Sequence, residues 1–195
     1  MSELVNSNLF LVKEHVGLFK AANNYDIYDP ASGEMIMQCR EPSLGLLTKL
    51  LRFTDFKRMT PFDVQISTPG GERIVRIQRG ISLFMSKVEV RDQDNAVIGG
   101  FQQRMLSIGG KFDVLDKDDQ LLCKLEGQWT GWDFYFRNGK QDLAHVSKKW
   151  TGLGREMFTS ADNYVLEIYQ DVPKDDPVRK LILAAVMCID MVLKE

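Results

Sequence analysis

The chain ends in RKLILAAVMCIDMVLKE, and between Leu181 and Leu193 a single charge, Asp190, interrupts an otherwise apolar run. As a helix rising 1.5 Å per residue, that run is about 20 Å long, short of the roughly 30 Å hydrocarbon core of a bilayer. Asp190 at mid-membrane would cost about 3 kcal/mol. The run is therefore a poor spanning segment. Yet Leu181-Ile182-Leu183-Ala184-Ala185-Val186-Met187 leaves no polar face, and a helix that is apolar all round is buried all round. Asp175-Asp176-Pro177 opens it. Asp176 suits the N-cap, and Pro177 suits the first helical position, where a missing N–H costs nothing. The rest of the chain must supply the surroundings.

What precedes the helix is a succession of hairpins. The turns are Asp29-Pro30-Ala31-Ser32-Gly33, Thr68-Pro69-Gly70-Gly71, Asp92-Gln93-Asp94-Asn95, Asp116-Lys117-Asp118-Asp119 and Asn138-Gly139. Pro presets the first turn angle, Gly supplies positive φ, and Asp and Asn bond their own backbone. Between them run VQIS, RIVRIQ, SKVEVR, KFDVL, LLCKL and DFYF, several of which alternate apolar and polar residues as half-buried strands do. About twelve strands are expected, beginning near Leu9, Tyr25, Glu34, Phe62, Arg73, Lys87, Val97, Lys111, Leu121, Asp133, Asp142 and Asn163. An open sheet of that many strands would expose its edges, whereas a closed one hides them and can pack on every side of one helix. The expected fold is mainly β: a closed antiparallel barrel of about twelve strands around a buried hydrophobic C-terminal helix. The alternative is a sandwich with the helix on one face. Leu44-Gly45-Leu46-Leu47-Thr48-Lys49-Leu50-Leu51 has leucines at helical spacing and predicts a short amphipathic helix at the rim. Trp129-Thr130-Gly131 returns as Trp150-Thr151-Gly152. No Pro/Ser-rich linker divides residues 1–195, which read as one domain.

Composition narrows the function. The formal net charge is −2, so no overall basic footprint points to nucleic acid or anionic lipid. MSELVNSN lacks a basic region followed by an apolar stretch, so no secretory signal is expected. Cys39, Cys123 and Cys188 are odd in number and far apart, and they read as reduced core cysteines of a cytosolic protein. His15 and His145 are the only histidines, and neither belongs to a nucleophile–base set by spacing. No catalytic residue and no enzymatic activity are expected. Gly99-Gly100 and Gly109-Gly110 mark bends in a barrel wall. Trp129, Trp132, Phe134, Tyr135 and Phe136 form the densest aromatic cluster. They read as core plus hairpin contacts, or as an aromatic belt at a membrane surface. Arg52-Lys57-Arg58, Arg73-Arg76-Arg79 and Lys148-Lys149 are solvated faces or meet lipid headgroups. Asp190 is expected at the barrel mouth, or else as a functional polar site inside the barrel, with a hydrogen bond or salt bridge to a strand residue.

Three stretches carry a resemblance. They are Val146-Ser147-Lys148-Lys149-Trp150-Thr151-Gly152, Phe158-Thr159-Ser160-Ala161-Asp162-Asn163-Tyr164, and Ala184-Ala185-Val186 leading to Ile189-Asp190. With Asn24-Tyr25-Asp26-Ile27-Tyr28-Asp29, the run from Val64 to Arg79 and Gly99-Gly100-Phe101-Gln102-Gln103, the chain resembles the phospholipid scramblase family from about Leu9 to Glu195. The resemblance implies the Tubby C-terminal-like fold shared with LURP-one-related proteins, a twelve-stranded barrel around a hydrophobic helix. It implies lipid binding or transbilayer phospholipid movement, a phospholipid membrane surface or a protein as partner, and a cytoplasmic location, peripheral at the membrane. The alternative function is a soluble barrel acting as a scaffold or regulator without lipid transport. Unlike many animal members, the chain has no proline-rich extension or cysteine-rich stretch; Cys39 stands alone between Gln38 and Arg40. The family's calcium segment falls on Ser160 to Asp171, where Asp162, Asn163 and Asp171 are the remaining oxygen ligands. Its leading Asp is Ser160 here, and a Gly is Val165. Tyr164 to Tyr169 reads as a strand, whereas calcium takes six to eight oxygens from a tightly turned loop. No other cofactor is implied.

Overall fold

The structure, a computed structural model, describes residues 3–14, 24–42, 61–80, 87–103, 112–128, 131–139, 141–149 and 163–193, with side chains omitted at Glu3, Gln128 and 190–193. A 3₁₀ turn, Glu3–Asn6, precedes twelve strands: β1 (Leu9–Glu14), β2 (Tyr25–Tyr28), β3 (Met35–Arg40), β4 (Phe62–Ser67), β5 (Arg73–Arg79), β6 (Lys87–Asp92), β7 (Val97–Gln103), β8 (Phe112–Asp116), β9 (Leu121–Gln128), β10 (Asp133–Asn138), β11 (Gln141–Ser147) and β12 (Asn163–Ile168). One helix, α1 (Pro177–Leu193), follows. Each strand pairs antiparallel with its neighbours in sequence, and β12 returns to β1, closing the barrel. The residue patterns place the expected strands to within one residue at each start: Glu34 becomes Met35, Lys111 becomes Phe112 and Asp142 becomes Gln141.

Alternation decides which side chains face inward. In β4, Phe62, Val64 and Ile66 are buried while Asp63, Gln65 and Ser67 are half-exposed. In β10, Phe134 and Phe136 point in and Tyr135 points out. The short turns use the chemistry their residues suggest. Asp92 Oδ1 accepts the N–H groups of Asp94 and Ala96, each at 2.9 Å. Asp116 Oδ1 does the same for Asp118 and Gln120, at 2.9 and 2.8 Å. Asn95 (φ 67°) and Asp119 (φ 60°) take the left-handed position of these loops, where Asn and Asp are tolerated better than other non-glycine residues.

All five short turns lie at one end of the barrel, here the turn end, because every second strand begins there: β1, β3, β5, β7, β9 and β11 run away from it. The first turn of α1 lies at the same end: Arg179 reaches Val5 and Ser7, and Lys180 reaches Gln93. The helix then runs inside the wall. From Val178 to Ile189 no residue is more than 7% exposed. It packs against β5, β7, β8 and β12. Gly99 in β7 makes room for it: a Cβ there would lie 2.3 Å from the Leu115 carbonyl oxygen and 3.0 Å from Leu181 Cδ1. Between Val88, Phe101, Phe112, Val114 and Leu125 on the wall and Ala185, Cys188 and Ile189 on the helix, only about 10 Å³ is left over. That is the space of roughly one water. The barrel is a filled core, and its helix is the filling.

Several expectations fall outside the described residues: the helix at 44–51, the repeat at 150–152, Gly109-Gly110, the basic residues Arg52, Lys57 and Arg58, and Trp129. The side chain of Asp190, expected to meet a strand donor, is likewise outside them.

Candidate functional site at the turn end

The first turn of α1 is fastened to the 3₁₀ turn. Asp176 caps the helix, its Oδ1 accepting the Val178 N–H at 2.9 Å and its carbonyl the Arg179 N–H at 3.0 Å. Asp175, at φ 69°, pairs reciprocally with Asn6: its N–H donates to Asn6 Oδ1 at 3.0 Å, and Asn6 Nδ2 donates to Asp175 Oδ1 at 3.1 Å. Arg179 is fully buried. Its Nε donates to the Val5 carbonyl at 3.1 Å and Nη1 to the Val172 carbonyl at 3.0 Å. Nη2 donates to the Ser7 carbonyl at 2.6 Å and to Asn8 Oδ1 at 2.8 Å. All four acceptors are neutral. Burial lowers the guanidinium pKa below its ordinary value, and Asp176 opposes that shift. A planar five-donor fork is the side chain suited to collecting several fixed carbonyls at once.

An open groove of about 490 Å³ adjoins this clamp, lined by Leu4, Asn6, Ser7, Asp29, Ile36 and Lys174. The 3₁₀ turn, the β2–β3 turn and the segment leading into α1 each contribute to it. Asp29 is fixed by its own turn, with Oδ1 accepting the Ala31 N–H at 2.9 Å and Oδ2 the Ser32 hydroxyl at 3.2 Å. Lys174 is exposed and makes no hydrogen bond or ion pair with any described residue. The groove thus holds one fixed carboxylate, one uncommitted ammonium and two aliphatic side chains.

Of the residues singled out for calcium, the two that are described, Asn163 and Asp171, are not brought together. Asn163 is buried at the start of β12, while Asp171 is exposed beyond its other end, at the turn end. An extended strand of six residues separates them, a span of about 20 Å. Asp162 lies outside the described residues. Asn163 and Asp171 cannot share an ion whose ligands sit about 2.4 Å away. Among the described residues no group of three His, Cys, Asp or Glu side chains is placed to hold a metal.

The other marked residues are largely occupied in the wall. Arg76 forks onto Asp63 at 2.9 and 2.5 Å, which raises the Arg76 pKa. Arg73 Nη2 donates to the Gln93 carbonyl at 2.8 Å, and Arg79 is buried with its guanidinium 4.7 Å from the Phe62 ring centre. Lys148 lies 4.1 Å over Trp132, which stacks on Tyr164 with ring centres 5.6 Å apart. His145 stacks on Tyr135 at 4.3 Å and meets Asp133 at 2.5 Å. All three cysteines are buried thiols. Burial pushes Cys39 and Cys123 up to about 12 and Cys188 well above the ordinary thiol value.

Sequence reasoning missed both Arg179 and the groove. A charge at a helix start reads as solvent-facing, and Leu4, Asp29, Ile36 and Lys174 share no spacing. A faint signal was the polar run Asn6-Ser7-Asn8 ahead of an apolar strand, a supply of carbonyl and amide oxygens that needs donors.

A twelve-stranded antiparallel barrel closed around its own C-terminal helix defines the class, the architecture that the Tubby-like resemblance implies. The Scramblase family model matches residues 5–195, and the chain belongs to that family. A phospholipid scramblase family protein of Schizosaccharomyces pombe is 22% identical over 173 residues, covering 84% of this chain and 45% of the relative. Phospholipid scramblase 2 of Homo sapiens is 22% identical over 153 residues, covering 71% of this chain and 51% of the relative. The chain thus spans about half the length of these curated relatives. An X-ray structure of an Arabidopsis thaliana protein superposes with a TM-score of 0.53, covering 94% of this chain and 91% of that one at 16% identity, and shares the fold.

Proposed function

We propose that this chain is a non-enzymatic phospholipid-binding domain that works at the cytoplasmic surface of a membrane and takes part in transbilayer phospholipid movement. Membership of the Scramblase family supports the lipid assignment. The observation that carries the peripheral placement is the burial of Val178 to Ile189 inside the wall, which leaves the apolar helix unavailable to lipid. No helix among the described residues is long and apolar enough to cross a membrane. The filled interior also offers headgroups no route through a single barrel, so movement of lipid belongs to an assembly or to a rearranged state. Calcium has no shared site on Asn163 and Asp171 in this reading.

The test is reconstitution of the purified chain with vesicles carrying a labelled phospholipid, with and without calcium. The reading expects co-sedimentation with vesicles and faster exchange between leaflets, both indifferent to calcium. Failure of both would reject it in favour of a soluble scaffold acting through protein partners.

A further inference from the structure

We infer that the groove lined by Leu4, Asn6, Ser7, Asp29, Ile36 and Lys174 binds a phosphoethanolamine-type zwitterion, as a lipid headgroup or as its soluble glycerol ester. Two opposite charges line this one cavity without pairing with each other. A ligand that bridges them must carry an anion for Lys174 and a cation for Asp29. The Asp29 carboxylate is held in place by Ala31 and Ser32 and keeps lone pairs for a further donor. The Lys174 ammonium commits none of its three donors to a described residue, and an ammonium serves phosphate as a point charge. Leu4 and Ile36 supply apolar surface for a short carbon stem. The groove is open to solvent, and its volume of about 490 Å³ leaves room for a headgroup.

The lining also discriminates among headgroups. A quaternary ammonium has no N–H for Asp29 and is normally held by an aromatic cage, and no aromatic residue lines this groove among the described residues. A phosphoserine headgroup would bring a second carboxylate towards Asp29. Ethanolamine is the fitting cation. The inference rests on the proposed membrane role only for the lipid source, because the groove's chemistry is the same for the soluble ester.

The experiment is calorimetric titration of the full chain with glycerophosphoethanolamine, glycerophosphocholine and glycerophosphoserine, followed by sedimentation with phosphatidylcholine vesicles with and without phosphatidylethanolamine. Saturable binding of the ethanolamine ester is expected, weakened about tenfold by Lys174→Glu and by Asp29→Asn, the loss of one charge-assisted hydrogen bond each. Asn at position 29 keeps the Oδ1 acceptor for the Ala31 N–H and gives up the one for the Ser32 hydroxyl. Lys117→Glu, the same charge change on an exposed hairpin, should leave binding unchanged. No saturable binding, equal affinity for the choline ester, or an equal loss in Lys117→Glu overturns the inference. If the groove variants bind vesicles normally while the ester fails, the site is wrong and the membrane role stands. If the ester binds and vesicles do not, the site stands with a soluble ligand and the membrane role falls.

Discussion

Arg179 is a charge held in the core by four neutral oxygens, and its removal would strand the two that are buried, the carbonyls of Val5 and Val172. Arg179→Ala should destabilise the fold by about 3 kcal/mol, because the carbonyls of Val5 and Val172 would lose a donor where water has little access. Arg179→Lys should recover less than half of that loss, since a point ammonium cannot span four acceptors as a planar fork does. Urea midpoints of the two variants against the native chain measure both effects. The buried thiols make a second prediction. Cys39 and Cys123 stay protonated in the fold up to about 12, against 9.0 ordinarily. Below pH 9 both states hold the proton and stability is unaffected. Between about 9 and 12 only the unfolded chain ionises, so each thiol removes about 1.4 kcal/mol of stability per pH unit. Unfolding free energy should therefore be flat from pH 7 to 8.5 and fall above 9. Replacing Cys39 and Cys123 with Ala should flatten the decline, apart from the share that Cys188 contributes.

At the scale of elements, strands and turns were readable because their signals are local. Phe62-Asp63-Val64-Gln65-Ile66 alternates by itself, and Asp92 and Asp116 carry their own turn bonds within four residues. The helix was readable from composition, since a segment with no polar face between Leu181 and Ile189 admits few environments. The groove and clamp were not readable, because Val5, Asp29, Val172 and Lys174 meet only after closure of the barrel has set their positions. Asn163 and Asp171 show the converse: close in sequence, they are driven apart by the strand between them. At Gly99 wall and helix leave no room for a side chain. Gly99→Ala should cost about 3 kcal/mol, since the added methyl meets both the Leu115 carbonyl and Leu181. Trimming the helix in a Gly99→Ala, Leu181→Ala double variant should not restore stability, because the closer clash is with backbone and a cavity is added. Thermal melting of the two single variants and the double variant distinguishes this backbone clash from simple crowding.

For the whole molecule, the decisive issue is whether the barrel keeps its helix when it meets lipid. Withdrawing α1 would expose the apolar surface of Val178 and of Leu181 to Ile189, together with the inner wall that packs on them. Each Leu, Ile or Val moved into water costs about 1.5–3 kcal/mol, a debt that lipid contact would have to offset in full. The clamp at Arg179 and the Asn6–Asp175 pair add to the resistance at the turn end. Cys188 reports on this directly, because it sits in the last described buried turn of the helix at 3% exposure. In a variant carrying Cys188 as its only thiol, with Cys39→Ala and Cys123→Ala, modification by a thiol reagent should be slow in buffer. It should remain equally slow on vesicles that bind the protein, and become fast only in denaturant. Both a water-soluble reagent and one that partitions into lipid are needed, since a withdrawn helix would present the thiol to one phase or the other. Rapid labelling on vesicles alone would mean that the barrel opens at the membrane, and the peripheral reading would give way to one in which the helix inserts.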